Sequence, residues 1–233
     1  MKLSVIIPCY NEKKTIKKII DKIFLQKINL EIILVDDGSD DGTVNVIKNY
    51  KRDGRVKIVY HLKNKGKGAA IKSAVKFITG DLVLIQDADL EYNPKDYKKI
   101  LDKFKVNKDI KAVYGSRALN KNNYQGKMTL MRLVRIIGNK MLTLFSNSIN
   151  SQNLTDAHTC YKSFRVNTFK KIILKEDDFS FCAEVNAKLS RMNINIEEVP
   201  ISYSGRTVSE GKKIKFIDFF LAMKSTIKYR FFC

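Results

Sequence analysis

Residues 82–92 read Leu-Val-Leu-Ile-Gln-Asp-Ala-Asp-Leu-Glu-Tyr, an apolar run that ends in alternating acidic residues. A short, continuous apolar run is typical of a β-strand that is buried on both faces. Because residues two apart share one side of an extended segment, the carboxylates of Asp87 and Asp89 are predicted to point the same way. Such a pair can bind a hard divalent cation that also takes phosphate oxygens, with Glu91 as a third ligand. The alternative for a D-x-D sequence is a solvated turn, but its place after a buried strand favours the cation site.

Similar apolar runs recur along the chain and predict an α/β fold. Predicted strands cover residues 3–7, 30–35, 56–60, 82–85, 112–114 and 196–199, and another ends the segment 155–165. Predicted helices cover residues 12–25, a segment ending near 51, and residues 68–77, 128–149, 181–192 and 213–230. This alternation indicates a mostly parallel sheet with helices on both faces, in which ligands bind at the carboxyl ends of the strands. Without a linker or repeat, residues 1–233 are expected to form a single domain.

Composition narrows the class of protein. The chain has 233 residues, and its 44 Lys and Arg against 24 Asp and Glu leave a net charge of +20. A basic surface attracts nucleotides, nucleic acids or anionic lipids, although a compositional bias toward lysine is an equal explanation. No apolar run approaches the roughly 18 residues that span a bilayer, which argues against an integral membrane protein. The first residues read as a strand rather than a signal peptide, and four scattered cysteines suit a reducing cytoplasm.

Two other segments are candidates for nucleotide binding. Asp36 and Asp37 end the second predicted strand, where one carboxylate is placed to accept hydrogen bonds from a nucleobase or ribose. Residues 66–70 lack the third glycine of a dinucleotide fingerprint and the Gly-Lys-Ser of a Walker A loop. They instead predict a basic helix start of small residues, in which Lys67 and Gly68 can approach phosphate.

The order of these motifs carries a family resemblance. The motifs are residues 8–12 (Pro-Cys-Tyr-Asn-Glu), 36–39 (Asp-Asp-Gly-Ser), 64–70, 87–92 (Asp-Ala-Asp-Leu-Glu-Tyr) and 115–117 (Gly-Ser-Arg). Together they resemble a family 2 glycosyltransferase of the GT-A fold. Segments 154–162 and 198–207 resemble, more narrowly, the dolichyl-phosphate mannosyltransferase and glucosyltransferase branch, which acts on polyprenyl phosphates. The resemblance covers about residues 3–215 and divides the domain into a nucleotide-sugar half (1–117), an acceptor half (118–211) and a C-terminal helix (212–233).

The resemblance implies an inverting, metal-dependent transfer of a hexose from a UDP- or GDP-sugar to a polyprenyl phosphate. The expected metal ligands for Mg²⁺ or Mn²⁺ are Asp87, Asp89 and Glu91. Position 91 is glutamine in many mannosyltransferases of this branch, so Glu91 leaves the identity of the sugar open. The residues expected to contact the nucleotide-sugar are Pro8, Tyr10, Glu12, Asp37, Lys67, Gly68, Asp87 and Ala88.

The same resemblance assigns the acceptor side. Arg117 matches a phosphate-binding arginine, and the further candidates for the acceptor phosphate are Arg132, Arg135 and Arg206. A guanidinium can clamp two phosphate oxygens, but each of these three is alternatively a solvated surface charge. Asp156 matches an acidic residue near the reacting centre and is expected to act as a base or an orienting group, unless it only caps a turn. The residues expected to be catalytic are therefore Asp89, Asp156, Arg117 and Arg206.

Three nearby residues leave alternatives open. His158 is a second candidate base, although a lone histidine in a loop is more often structural or exposed. Glu184 either supports the site from behind or faces water on an amphipathic helix. Cys182 stands where the branch often has a carboxylate, which removes one expected contact to the acceptor.

The C-terminal segment predicts a basic amphipathic helix with one apolar face. That face is formed by Phe216, Phe220, Met223 and Ile227. Basic amphipathic helices lie on anionic bilayers, and the alternative is ordinary packing against the sheet. The expected location is therefore cytoplasmic and peripheral, where a lipid acceptor is met at the membrane surface or through a separate membrane partner.

Two other functions are alternatives to sugar transfer to a polyprenyl phosphate. Transfer to a saccharide hydroxyl, as in cell-surface polysaccharide synthesis, would use the same donor but would need a true general base. A nucleic-acid-binding module would explain the basic charge but would not need Asp87 and Asp89. The ordered acidic motifs argue against nucleic acid as a partner.

Overall fold

A computed structural model describes residues 1–124, 129–206 and 217–232. Within these ranges the chain forms one seven-stranded sheet with the strand order β3-β2-β1-β4-β6-β5-β7. The strands are β1 (Leu3–Cys9), β2 (Leu30–Asp36), β3 (Val56–Tyr60), β4 (Leu82–Ile85), β5 (Ala112–Ser116), β6 (Lys162–Arg165) and β7 (Ile196–Pro200). Each strand expected from an apolar run is therefore present.

Eight α-helices flank this sheet in the described ranges. They are α1 (Ile16–Phe24), α2 (Thr43–Ile47), α3 (Lys67–Ala74), α4 (Tyr97–Val106), α5 (Leu130–Asn150), α6 (Val166–Lys171), α7 (Phe181–Arg191) and α8 (Ile217–Phe231). The helices predicted from the sequence do not include α4 and α6. Helix α4 shows a detectable signal, because Ile100, Leu101 and Phe104 recur at helical spacing and are buried. None of the described helices is long and apolar enough to cross a membrane.

The direction of β6 decides which loops meet. The other neighbouring strands pair in parallel, which confirms the mostly parallel sheet, but β6 runs antiparallel to both β4 and β5. Lys162 at the start of β6 pairs with Tyr114 near the end of β5. Residues 154–161, which lead into β6, therefore lie at the carboxyl edge of the parallel strands, where Asp87 and Arg117 also follow their strands.

The sheet is buried on both faces, as expected. Val5 and Ile7 of β1 join one hydrophobic cluster with the buried isoleucines of α1. Ile6, between them, joins a second cluster with Ala70 and Ile71 of α3 on the opposite face. Alternate residues of each strand thus enter separate cores, which is why the strands read as continuous apolar runs rather than alternating ones.

Glu31 in β2 links three neighbouring segments. Its carboxylate accepts hydrogen bonds from the Lys2 ammonium at 2.6 Å, the Ser4 hydroxyl at 2.6 Å and the Thr79 amide at 2.7 Å. Burial alone would raise the pKa of Glu31, but these hydrogen bonds lower it from 4.5 to about 2. The charged form of Glu31 therefore stabilises the sheet where the parallel strands begin, at the opposite end from their carboxyl ends.

Glu31→Gln is expected to lower the free energy of unfolding by about 1–2 kcal/mol at neutral pH, because charge-assisted hydrogen bonds are lost. Since the pKa in the folded state is depressed, this stabilisation is complete above pH 4.5 and disappears as the pH falls toward 2. Urea unfolding of both proteins should show the gap narrowing in acid. Glu197→Gln, which alters an ion pair with about half-exposed partners, is the control and should change little. A gap that is independent of pH would contradict the role of the charge.

Candidate active site

The loop after β1 and the turn after β2 form one side of the site. Asn11 has a positive φ of 52°, and its amide donates to the Ser39 hydroxyl at 2.9 Å. The next residue, Glu12, is buried, and its amide donates to the Thr43 hydroxyl at 2.9 Å. These hydrogen bonds hold the two turns together. The predicted nucleoside contacts Pro8, near the end of β1, and Tyr10, in the loop after it, are both half-buried.

Asp37 organises the loop between β3 and α3. Its carboxylate accepts hydrogen bonds from the Lys65 amide at 3.0 Å and the Gly66 amide at 2.8 Å, and it contacts His61 Nδ1 at 2.6 Å. The neighbouring Asp36 retains a buried oxygen, Oδ1, that has no hydrogen-bond partner among the described residues. Asp37 therefore positions the loop that precedes Lys67, and a direct contact with a nucleoside stays a prediction.

The start of α3 is packed tightly against the segment before α7. A Cβ on Gly68 would collide with the carbonyl oxygen of Glu176, and the amide of Ala69 donates to the carbonyl of Asp177 at 3.0 Å. This packing by itself requires a residue without a side chain at position 68. Sequence reasoning had attributed it to phosphate binding alone.

Lys67 carries the positive charge of this helix start into the site. Its ammonium forms a buried ion pair with Asp87 and lies 3.0 Å from Cys160 Sγ. Burial alone would lower the pKa of Lys67, but the charge of Asp87 raises it well above its usual value. The amine therefore stays protonated and neutralises the first carboxylate of the D-x-D pair.

Arg206 neutralises the second carboxylate. Its guanidinium donates to Asp89 at 3.0 Å and to both oxygens of Glu12 at 3.2 Å. Its Nε lies 3.8 Å from Glu91. Burial raises the pKa of Asp89 to about 7, Asp87 and Glu91 add to this effect, and Arg206 opposes it. A predicted acceptor residue thus contacts the predicted donor and metal residues directly.

The proposed metal ligands are brought together only in part. Glu91 accepts hydrogen bonds from the Tyr203 hydroxyl and the Arg206 amide, both at 2.8 Å. Over the described ranges, no group of three His, Cys, Asp or Glu side chains is arranged to hold a metal ion. Asp87 and Asp89 nevertheless supply the carboxylate oxygens that Mg²⁺ or Mn²⁺ prefers. The residues fit a site with two carboxylate ligands.

Arg117 and Asp156 form the other centre of the site. Arg117 donates from Nε and from a terminal nitrogen to the two oxygens of Asp156, both at 2.7 Å, and from its amide at 3.0 Å. Asn139 of α5 donates to Asp156 at 3.0 Å. Asp156 is fully buried; burial alone would raise its pKa, but Arg117 lowers it below the usual value. Its carboxylate is therefore ionised, and both of its oxygens already accept hydrogen bonds from neighbouring residues.

Residues that sequence reasoning missed hold this centre in place. Glu198 of β7 accepts hydrogen bonds from the amides of Thr155 at 2.7 Å and Asp156 at 3.1 Å. The ring of Tyr203 lies under the Arg117 guanidinium, 5.1 Å from it. Glu198 and Tyr203 stood inside a quoted motif, whereas Asn139 lies within a helix and carries no local signal.

The remaining candidates are two arginines of α5 and the histidine near Asp156. Arg135 donates to the backbone carbonyl of Arg206 at 3.0 Å, which places it at the site, whereas Arg132 donates to the carbonyl of Asn123 at 2.6 Å. Burial lowers the pKa of His158 to about 3, with the charge of Lys162 adding to the effect, so the imidazole is neutral.

Glu184 and Cys182 lie within the fold. Glu184 does not face water: it is fully buried and accepts hydrogen bonds from the amides of Lys175 at 2.6 Å and Glu176 at 2.8 Å. Its carboxylate therefore shapes the segment against which Gly68 packs. Cys182 is buried, and burial raises the pKa of its thiol.

Comparison with known families identifies this arrangement. The profile of "Glycosyl transferase family 2" matches residues 4–173. The chain belongs to glycosyl transferase family 2. This glycosyltransferase is 28% identical over 230 residues to a UDP-N-acetylglucosamine–dolichyl-phosphate N-acetylglucosaminyltransferase from Methanococcus voltae, covering 90% of this chain and 89% of that protein. It is also 28% identical to a dolichyl-phosphate β-glucosyltransferase from Dictyostelium discoideum, over 91% of this chain and 68% of that protein.

The fold is that of solved glycosyltransferases. The glycosyltransferase superposes with a TM-score of 0.70 on glucosyl-3-phosphoglycerate synthase from Mycobacterium tuberculosis, which was crystallised with Mn²⁺, UDP and phosphoglyceric acid. The match covers 98% of this chain and 76% of the other at 15% identity, so it bears on the fold alone. The expected GT-A fold is confirmed.

Proposed function

We propose that this glycosyltransferase moves a hexose from a nucleotide diphospho-sugar to a polyprenyl phosphate, with inversion, at the cytoplasmic face of a membrane. Two relatives named for dolichyl-phosphate sugar transfer align along most of the chain, which supports the lipid acceptor. A fold relative crystallised with UDP and Mn²⁺ supports the class of donor. The relatives transfer different sugars by name, so the proposal leaves the hexose unspecified.

The hydrogen bonding of the Asp156 carboxylate is the observation that supports a phosphate acceptor. Both of its oxygens accept hydrogen bonds from Arg117, and its lowered pKa makes it a weak proton acceptor. His158, with a pKa lowered to about 3, is a weak proton acceptor as well. A sugar hydroxyl needs a general base, whereas a phosphate oxygen is already anionic near neutral pH. Neither candidate base is therefore needed for a phosphate acceptor.

The proposed roles follow from these contacts. Arg117, fixed by Asp156 and Asn139, binds the acceptor phosphate, and Arg135 and Arg206 lie within reach of the same region. Glu12, Asp37 and Lys67 position the nucleotide. The acceptor phosphate oxygen forms a bond to the anomeric carbon while the bond from that carbon to the diphosphate breaks, and the nucleoside diphosphate leaves with the electron pair. No proton has to be moved in this step.

Asp87 and Asp89 are the residues proposed to hold the divalent cation. When bound, Mg²⁺ or Mn²⁺ would supply positive charge to the diphosphate leaving group. Lys67 and Arg206 neutralise the same carboxylates in this structure. Lys67 and Arg206 are therefore expected to exchange partners when donor and cation bind, so that their charges turn toward phosphate.

A transfer screen tests the proposal. UDP-glucose, UDP-N-acetylglucosamine and GDP-mannose are each incubated with dolichyl or undecaprenyl phosphate, with and without Mn²⁺. We expect one donor to give an organic-extractable sugar product that needs the divalent cation. Donor binding without any lipid product, together with transfer to a saccharide, would overturn the polyprenyl phosphate assignment in favour of a hydroxyl acceptor.

A further inference from the structure

The polarity of α5 is the reverse of that of an ordinary surface helix. Its three buried residues, Thr143, Ser146 and Asn150, are all polar. Asn139, on the same side, donates to Asp156 in the active site. A helix at the surface of a globular protein normally buries its apolar side and exposes its polar side. Helix α5 therefore turns its polar side toward the protein.

The outer side of α5 is a continuous apolar stripe. Six large apolar residues follow the i, i+3, i+4, i+7 spacing of one helix face, and each is at least 42% exposed. They are Leu130, Leu133, Val134, Ile137, Met141 and Leu144. At a rise of about 1.5 Å per residue the stripe is about 20 Å long. Monomeric soluble proteins seldom expose a contiguous apolar surface of this kind, so the stripe indicates a surface that something covers.

Helix α8 widens this surface. It packs against α5 and α7, burying mainly small or polar residues such as Ser225 and Thr226. Phe220 and Ile227, two members of the predicted apolar face, are 52% and 40% exposed. These exposures do not fit the alternative of packing against the sheet through that face. Phe216 of the predicted face, and the lysines at 212, 213 and 215, lie outside the described residues.

The charges on α5 and α8 indicate what kind of partner covers this surface. Helix α5 has no acidic residue, and of its three basic side chains Lys140 is exposed, whereas Arg132 and Arg135 are half-buried against the protein. Helix α8 has one acidic residue, Asp218, and presents the exposed Lys224 and Lys228 beside its exposed apolar residues, with Lys228 also paired with Glu176. The chain as a whole has a net charge of +20. Self-association through this face would bring like charges together, whereas an anionic bilayer offers both opposite charge and an apolar interior.

We propose that the outer apolar residues of α5 and α8, the α5–α8 face, insert into the interfacial region of an anionic lipid bilayer. The opposite side of α5 contributes Asn139 to the Arg117–Asp156 centre, so one helix diameter, about 10 Å, separates the lipid from the acceptor site. Membrane binding by the α5–α8 face adds a lipid contact to the proposed function, and its biological purpose rests on that function. It gives a lipid phosphate a short route to Arg117.

Vesicle co-sedimentation tests the α5–α8 face directly. The full chain is mixed with phosphatidylcholine vesicles that either contain or lack phosphatidylglycerol. We expect binding to the anionic vesicles, and we expect Ile137→Asp combined with Met141→Asp to weaken it about 100-fold, because two apolar side chains are lost from the lipid contact. Both residues are about half exposed, so the variant should keep the circular dichroism spectrum and melting temperature of the wild type.

The matched control changes exposed apolar residues elsewhere. Leu62→Asp combined with Val106→Asp alters two highly exposed side chains outside the face and should leave vesicle binding unchanged. Equal binding by the wild type and the Ile137/Met141 variant, or failure of the wild type to bind, would overturn the proposal. A dimer in sedimentation velocity that this variant dissociates would show instead that the face joins two copies.

This test can fail separately from the proposed function. Vesicle binding without any lipid-linked product would remove the assignment of the acceptor and leave the membrane face intact. Transfer to a detergent-solubilised polyprenyl phosphate by a protein that ignores vesicles would do the reverse. Binding of UDP with Mn²⁺ should be the same in the wild type and the Ile137/Met141 variant.

Discussion

Asp89→Asn is expected to lower kcat/KM for sugar transfer by about 10³-fold or more, equivalent to about 4 kcal/mol. The physical reason is that the substitution removes one of the two carboxylates proposed to hold the cation on the diphosphate. It also releases Arg206, which donates to Asp89 at 3.0 Å in this structure. The measurement is formation of lipid-linked sugar over a range of donor and Mn²⁺ concentrations.

A second readout separates cation binding from folding. In the presence of UDP, addition of Mn²⁺ should raise the melting temperature of the wild type. The same addition should not raise the melting temperature of Asp89→Asn. Asp102→Asn, at a surface carboxylate paired with Lys105, is the control and should retain both activity and the shift. Turnover of Asp89→Asn near that of the wild type would remove Asp89 from the reaction centre.

Asp156→Asn is expected to have the largest combined effect on stability and activity. The carboxylate is fully buried and is bound at two points by Arg117, so the amide leaves the partly buried Arg117 guanidinium without its counter-charge. Breaking such a pair costs about 3–5 kcal/mol. Because the pKa of Asp156 lies below its usual value of 3.8, this stabilisation is present at neutral pH and is lost in strong acid.

The kinetic pattern distinguishes an orienting group from a base. If Asp156 orients Arg117, then Asp156→Asn and Arg117→Lys should each raise KM for the lipid phosphate. Their double variant should be clearly less than additive, since both residues act through one contact. Urea unfolding and initial rates measure the two effects, with the exposed Asp109→Asn as the control. A loss of kcat at unchanged KM, with altered pH dependence, would instead identify Asp156 as a base.

Several features were accessible to sequence reasoning because their causes are local. The apolar runs predicted the strands, since both faces of this sheet are buried and no polar alternation interrupts them. Polar residues after each run predicted a site at the carboxyl edge, which is a property of parallel sheets. The small residue at position 68 has a second cause that the sequence does not reveal. The carbonyl of Glu176, which restricts Gly68, lies far away in the chain.

The partners inside the site were not accessible, because they are distant in sequence. Arg206 and Glu12 are 194 residues apart, and Arg117 and Asp156 are 39 apart. The prediction of Glu91 as a third metal ligand rested on local alternation and on the family resemblance. In the structure its side chain is shared with Tyr203 and Arg206, which no pattern around residue 91 reveals.

The sequence by itself therefore determined the α/β class, the strands, the acidic strand ends and the family, because each is written in short segments whose spacing follows backbone geometry. Tertiary structure alone decided the antiparallel direction of β6, the pairing of Asp156 with Arg117, and the outward apolar side of α5. An amphipathic pattern shows that a helix has two sides, but only packing shows which side the protein covers. For α5 the covered side is the polar one, because it supports the active site.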